Sequence, residues 1–330
     1  MNKIIYLPLE HIQSRYTVHM DKDVTEYLKT SGTDFIKIYP DIPVPKIMKA
    51  GSFLDAEFTI RFKAEQIAEL ARLYREDIIE TGDIIWSSDI WHPGLPESVA
   101  YMNYFAKKDV KLRGFIHAGS FTDTDFVRDM ERWAKNFEDI LFDVCDKIYC
   151  GSEFIKNDIV KKRIVDPNKF VITGLPLDYR NLDKYLDTNS RENIVVFNGR
   201  NVDEKQPWLF KQLASMLGGE VKCINTLEKN YSKDEYYDLL SRAKVVVSYA
   251  LQENFGFGIQ EATYLGCIPV LPNRLVYPEF YDDRYLYTTF DDSVNVVKSI
   301  LNDYYDWLPK EYTAHKYFKT KQIMEKWFNE

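Results

Sequence analysis

Cysteine is scarce and poorly spaced for metal: the four in 330 residues, Cys145, Cys150, Cys223 and Cys267, form neither a CxxC pair nor a zinc-ligand pattern. They read as buried thiols of a reducing compartment. A basic excess is missing too. Lys and Arg total 43 against 51 Asp and Glu, a formal net charge of −8, and neither half of the chain is cationic. That disfavours a duplex-DNA surface, which gathers Lys and Arg onto one face. Nowhere do 18 apolar residues run together, so no membrane-spanning helix is expected. The apolar run in MNKIIYLPLEH is short and meets a carboxylate at once, unlike a secretory leader, so the expected location is cytoplasmic. The sequence contains no internal repeat and no low-complexity stretch.

Apolar side chains are plentiful at 45%, charged ones reach 28%, and the aromatics include 23 Tyr, 20 Phe and 6 Trp. A chain this long buries roughly 75% of the surface its unfolded form exposes, so stability demands neither disulfide nor metal. Two domains are the natural division.

Short β-branched or aromatic runs alternate with helix formers. The first series is KIIYLPL (3–9), DFIKIYP (34–40), DIIWSSD (83–89), LRGFIHA (112–118), KIYCGS (147–152) and FVITG (170–174). The second is NIVVFNGR (193–200), VKCIN (221–225), KVVVSYA (244–250) and CIPVLP (267–272). Helices are expected over 64–80, 128–145, 205–217, 232–243 and 254–266. Near-continuous apolar strands separated by helices predict parallel sheets covered on both faces. Two series predict two doubly wound α/β domains. The boundary is placed in TGLPLDYRNLDKYLDTNSREN (173–193), rich in Gly, Pro, Asp and Asn, which gives domains over 1–175 and 176–314. HKYFKTKQIMEKWFNE (315–330) spaces Phe318, Ile323 and Trp327 for an amphipathic helix that packs back on the first domain.

One stretch concentrates the chemistry. In ENFGFGIQEATYLGCIPVLP (253–272), Glu253 and Glu261 are separated by seven residues just after an apolar strand. With a helix opening near Phe255, Glu253 lies in the preceding loop and Glu261 about two turns inside. Gly256 and Gly258 let a ligand approach the main chain, and the N–H groups of a helix start favour a phosphate. Two carboxylates beside a phosphate site are reconciled if each accepts from hydroxyls, one on a sugar and one on a ribose.

On these residues the chain resembles the retaining nucleotide-sugar glycosyltransferases of the GT-B fold that carry an E-x7-E motif, the group 1, family 4-like enzymes. The likeness covers most of the second domain. It implies two Rossmann-like domains with a cleft between them, and donor contacts from Glu253, Asn254, Phe255, Gly256, Phe257, Gly258 and Glu261. FNGRNVDEKQP (197–207) ends the second domain's first strand, and its Asn198, Gly199, Arg200 and Lys205 join the donor set. Arg200 and Lys205 stand where the family clamps the donor diphosphate with two cations. The leaving diphosphate gains charge as the sugar bond breaks, and charge-assisted hydrogen bonds of about 1.5–3 kcal/mol each replace a metal ion there.

In the first domain, His117 closes an apolar strand in RGFIHAGSFTDTDF (113–126), and the resemblance implies that it touches the donor sugar. The expected catalytic set is His117, Arg200, Lys205 and Glu253. Gly119 and Ser120 line the same crevice in this reading. The stretch around SSDIWHPGLPES (87–98) is expected to place Trp86, Trp91 and His92 in a proline-rich loop after a strand, an aromatic acceptor platform. EHIQSRYTVHM (10–20) stands where relatives carry a glycine-rich loop and offers Arg15, Tyr16 and Thr17 instead. Asp123 and Asp125 form a DTD that suggests a metal motif, but the glycine turn before it and the helix after it favour capping by Asp125. Ser152 is expected to cap the helix beginning in GSEFIKNDIVKKR (151–163).

The expected activity is a hexosyl or pentosyl transfer from a UDP- or GDP-sugar to a hydroxyl, with retention, and with no cofactor and no metal. A glycan, lipid, small molecule or modified nucleic acid remains open as acceptor, as does the oligomeric state. LVYPEFY (275–281) looks like the branch that glycosylates modified tRNA nucleosides, and the compact length would also suit glycosylation of modified phage DNA. A nucleotide-sugar-binding protein without catalysis is the alternative of a different class.

Overall fold

Each β-branched run is buried on both sides because helices return across both faces of its sheet. The computed structural model describes residues 2–12, 15–43, 56–177, 179–186 and 190–329. The chain divides into two units, residues 1–176 with 320–330, and residues 177–319.

In the first unit six parallel strands run in the order β2-β1-β3-β4-β5-β6: β1 (Ile4–Leu7), β2 (Phe35–Lys37), β3 (Ile84–Ser87), β4 (Lys111–Phe115), β5 (Lys147–Cys150) and β6 (Phe170–Ile172). Helices α1 (Thr17–Thr30), α2 (Arg61–Arg75), α3 (Leu95–Tyr104), α4 (Glu131–Val144) and α5 (Glu153–Lys162) connect them. Ile5, Ile85, Leu112 and Ile148 are buried at the centre of this core. Ser152 caps α5, its Oγ accepting from Ile155 N at 3.3 Å. Asp125 caps a 3-10 turn over Phe126–Met130 rather than α4 itself.

The C-terminal helix spans Thr320–Asn329, later than the 315 start expected, and belongs to the first unit. Trp327, fully buried, packs at a tilt against Trp86 with ring centroids 4.9 Å apart and donates its indole N–H to Thr173 Oγ1 at 3.0 Å. Trp86 is therefore a core residue of β3, not part of a surface loop. Phe318 lies in a separate 3-10 turn and packs on Tyr264 in the second unit.

The second unit holds five parallel strands in the order β11-β10-β9-β7-β8: β7 (Glu192–Phe197), β8 (Lys222–Asn225), β9 (Ala243–Val247), β10 (Ile268–Pro272) and β11 (Leu286–Tyr287). Its helices are α6 (Pro207–Leu217), α7 (Lys233–Arg242), α8 (Phe257–Tyr264), α9 (Tyr277–Phe280), α10 (Phe290–Asn302) and α11 (Tyr304–Trp307). Segment 254–266 becomes helical only at Phe257, because Gly256 enters with φ +75°. Glu261 therefore lies one turn inside α8, not two.

Both sheets reverse their strand order beside the first strand of the unit, between β1 and β3 and between β7 and β9. Outside the carboxyl ends of the strands at such a reversal, the two connections diverge and leave a crevice where α/β proteins bind ligands.

Candidate active site

In the second unit the connections after β7 and β9 enclose a pocket of about 50 Å³ lined by Asn198, Gly199, Lys205, Ser248, Glu253 and Gly256, among others. A 3-10 turn over Asp203–Lys205, followed by left-handed Gln206 (φ 51°), carries Lys205 inward, where it is buried. Its ammonium donates to Gln252 O and lies 3.2 Å from Glu253 Oε2. The other carboxylate oxygen, Oε1, accepts from the N–H groups of Gly256 at 2.9 Å and Asn254 at 3.2 Å. Burial alone would raise the Glu253 carboxyl, but the Lys205 charge and the N–H donors outweigh it and hold the group below its ordinary value. Glu253 is thus an anion already seated among a cation and main-chain donors. Its expected hydroxyl partner would have to share or replace these contacts.

Asn198 pins the two connections together, donating to Gly258 O at 2.7 Å and to Tyr236 OH at 3.2 Å. A Cβ on Gly258 would come within 2.9 Å of that same amide, so glycine here permits the close approach. Glu261 accepts from Tyr237 OH at 3.0 Å. Phe255 is core, its ring against Phe257 and Phe280, so it offers the site only main chain.

Arg200 departs from expectation. Its side chain is 54% exposed, donates to Glu204 Oε1 at 3.0 Å one turn away, and is not among the described residues lining the pocket. Of the two cations expected together, Lys205 lines the pocket and Arg200 does not. Tyr277 and Ser248, unnoticed in the sequence, form the pocket floor through a 2.8 Å hydroxyl contact. Tyr277 belongs to LVYPEFY, whose Val276, Phe280 and Tyr281 are buried around it.

In the first unit a cavity of about 130 Å³ opens at the β1/β3 reversal. Arg15, Tyr16, Thr17, Trp91, His117 and Gly119, all expected there, do line it. His117 Nε2–H donates to Ser88 O at 2.8 Å, which leaves Nδ1 to accept from Tyr16 OH at 3.0 Å. Burial holds this imidazole below its ordinary pKa, so it is neutral. With both nitrogens engaged inside the unit, His117 meets a sugar only by giving up one of these bonds.

His92 does not reach this cavity. It is buried away from the 130 Å³ cavity, with its Nε2 3.0 Å from Gln66 Oε1, and burial pushes its pKa down to about 3. Ser120 is likewise buried, held by Glu138 rather than facing the crevice. Asp123 is exposed and pairs with Lys162 at 3.0 Å. Among the described residues no group of three His, Cys, Asp or Glu is placed to hold a metal ion, and no helix is long and apolar enough to cross a membrane. Glu10, Thr59, Lys63 and Asp89 add further polar groups to the cavity wall and were not singled out in the sequence.

No family model matches the chain. The tRNA-queuosine alpha-mannosyltransferase of Drosophila melanogaster is 37% identical over 83 residues, which are 25% of this chain and 21% of that protein. The match thus spans about a fifth of the relative's length. Among solved structures, Anabaena HepE in complex with UDP and glucose aligns over 99% of this chain and 96% of its own, with 13% identity and a TM-score of 0.60. The lipopolysaccharide outer core galactosyltransferase WaaB aligns over 99% and 98%, with 12% identity and a TM-score of 0.60. These two likenesses, together with two parallel-sheet α/β units that each carry a crevice at the strand reversal, show that the chain has the GT-B fold.

Proposed function

We propose that the chain is a glycosyltransferase whose second unit holds a nucleoside-diphosphate sugar, UDP- or GDP-linked, and whose first unit holds an acceptor hydroxyl. One observation carries this reading: Lys205, Glu253, Asn198 and the main chain at Gly256 and Gly258 converge on one pocket at the β7/β9 reversal. Lys205 supplies the charge that a departing diphosphate needs, and exchanges its contact with Glu253 for one with phosphate oxygen. The N–H groups opening α8 add dipolar support. Glu253, released from the lysine, is free to accept from a sugar hydroxyl. HepE, similar in fold, has been solved with UDP and glucose, which favours a nucleotide-sugar donor.

Retention and independence from metal belong to the same reading. Calorimetric titration with UDP- and GDP-sugars tests donor binding: saturation by one of them, abolished in Lys205→Met while circular dichroism shows the variant still folded, is expected. Equal binding by the variant removes Lys205 from the site. Turnover in excess EDTA, with product anomer read by NMR, tests the two finer points.

A second reading of the acceptor, a modified tRNA nucleoside, is favoured by the stretch similar to the Drosophila tRNA-queuosine alpha-mannosyltransferase. Salt-dependent association with tRNA, together with mannosyl transfer to it, is the expected result. If tRNA neither binds nor accepts mannose, the acceptor is of another class.

A further inference from the structure

Two residues that line the first-unit cavity each carry a buried side-chain oxygen with no partner among the described residues. Glu10 follows β1 and is 5% exposed, and its Oε1 lacks a hydrogen-bond partner. Thr59, on the helical turn Ala56–Ile60, is 1% exposed, and its Oγ1 lacks one as well. Folded proteins rarely leave such atoms unsatisfied. Their polar neighbours are occupied: Lys63 donates to Trp91 O at 2.9 Å, Asp89 accepts from Trp91 N at 3.0 Å, and Tyr16 and His117 bond each other.

The cavity's volume, about 130 Å³, is near ten times the ~10–15 Å³ that one water requires, so it admits a single ring. Its remaining wall is partly apolar, with Leu9, Ile12, Val127 and Trp91. The charges on it offset: Glu10 and Asp89 oppose Lys63 and Arg15. Two carboxylates resist a phosphate, and two cations resist an ammonium. Burial raises the Glu10 carboxyl above its ordinary value despite Lys63 nearby, which suits it to exchange hydrogen bonds with neutral hydroxyls.

We infer that this cavity receives a small, neutral, cyclic polyol, with Glu10 and Thr59 reading its hydroxyls and the apolar wall its ring. The inference rests on the proposed glycosyltransferase activity, for which this ring would carry or adjoin the accepting hydroxyl. The ring's source is either a sugar or the polyol moiety of a nucleoside.

The full chain is titrated calorimetrically with methyl glucopyranoside, myo-inositol, a ribonucleoside and inorganic phosphate, and separately with UDP. Saturable binding of a ring polyol with Kd of about 1–10 mM is expected. Glu10→Gln and Thr59→Val are each expected to weaken it at least fivefold and to leave UDP binding unchanged. Preference for the pyranoside identifies a sugar as the source, and preference for the ribonucleoside identifies a nucleoside. Binding of phosphate but no polyol, or variants that bind polyol as the parent does, overturns the inference. If Glu10→Gln fails to fold, Thr59→Val decides. Polyol binding without any donor binding in the parent would sink the proposed activity while leaving this site standing.

Discussion

Replacing Glu138 by alanine removes a buried charge that holds the cavity wall of the first unit. Glu138, 0% exposed on α4, accepts from Arg163 Nε at 2.7 Å, Ser120 N at 2.6 Å, Ser120 Oγ at 2.9 Å and Trp91 Nε1 at 3.1 Å. The Arg163 side chain is itself 1% exposed. Glu131, 3.6 Å from Arg163 Nη1 and partly exposed, is its remaining carboxylate neighbour in Glu138→Ala. Breaking a buried ion pair from one side costs about 3–5 kcal/mol, since the surviving ion stays desolvated. That is a large part of the 5–15 kcal/mol that typically holds a domain together. At roughly 2–4 °C per kcal/mol for a unit of this size, the first unit's melting transition should fall by roughly 6–20 °C. Glu138→Leu combined with Arg163→Met strips both charges and should cost less than Glu138→Ala alone. Scanning calorimetry with urea titration measures both variants. A loss below about 1 kcal/mol in the alanine variant, or a double variant that loses more than Glu138→Ala does, refutes the reasoning.

Three further outcomes are expected. Glu253 is held below its ordinary pKa of 4.5, so its contribution is complete above that value and is lost as pH falls through the lower, folded one. In Lys205→Met burial, the largest influence on this carboxyl, is opposed only by the N–H donors, so its folded pKa rises and the acid-dependent loss of second-unit stability between about pH 3 and 6 should shrink, as followed by melting. His92 titrates near 3 when folded against an ordinary 6.5, so the unfolded chain takes up its proton first and stability falls as pH drops below 6.5. Between pH 6.5 and 5 this amounts to about 2 kcal/mol, and His92→Asn should flatten that slope in urea titrations. Gly258→Ala places a Cβ 2.9 Å from Asn198 Nδ2. Although alanine favours a helix by about 1 kcal/mol over glycine, the displaced Asn198 should lower donor affinity at least tenfold by calorimetry, and unchanged affinity would exclude the close approach as its reason.

What could be read from the sequence was whatever short-range chemistry decides. Runs such as IVVF and KVVV are buried strands because nothing else can cover consecutive β-branched residues. Ser152 caps a helix because its partner is three residues away. The same kind of signal lay unread before α10, where Thr289 and Asp292 close a capping box. Helix α1 shows no clean apolar periodicity, because its buried face carries Asp21 and Asp23. Asp21 is tolerated there only through His11, 2.6 Å away, and Lys37, contacts that no local pattern displays.

The sites divide along the same line. Lys205 and Arg200 are equivalent as letters, yet one left-handed residue at Gln206 and the turn before it send Lys205 inward, while Arg200 meets Glu204 on its own exposed turn. His92 looks like a loop ligand until Gln66, from α2, is found against its ring. The cavity of the first unit takes Glu10, Thr59, Lys63 and Asp89 from three stretches, the loop after β1, the turn running into α2, and the loop after β3. What brings them together is strand order: β3 lies beside β1, so Asp89 and Glu10, which follow the ends of those strands, meet over one crevice. A reading that fixes strand order first, and then asks which polar residues follow β1, β3 and β4, would have reached Glu10, Asp89 and His117 together, and with them the ligand chemistry that an isolated histidine does not reveal.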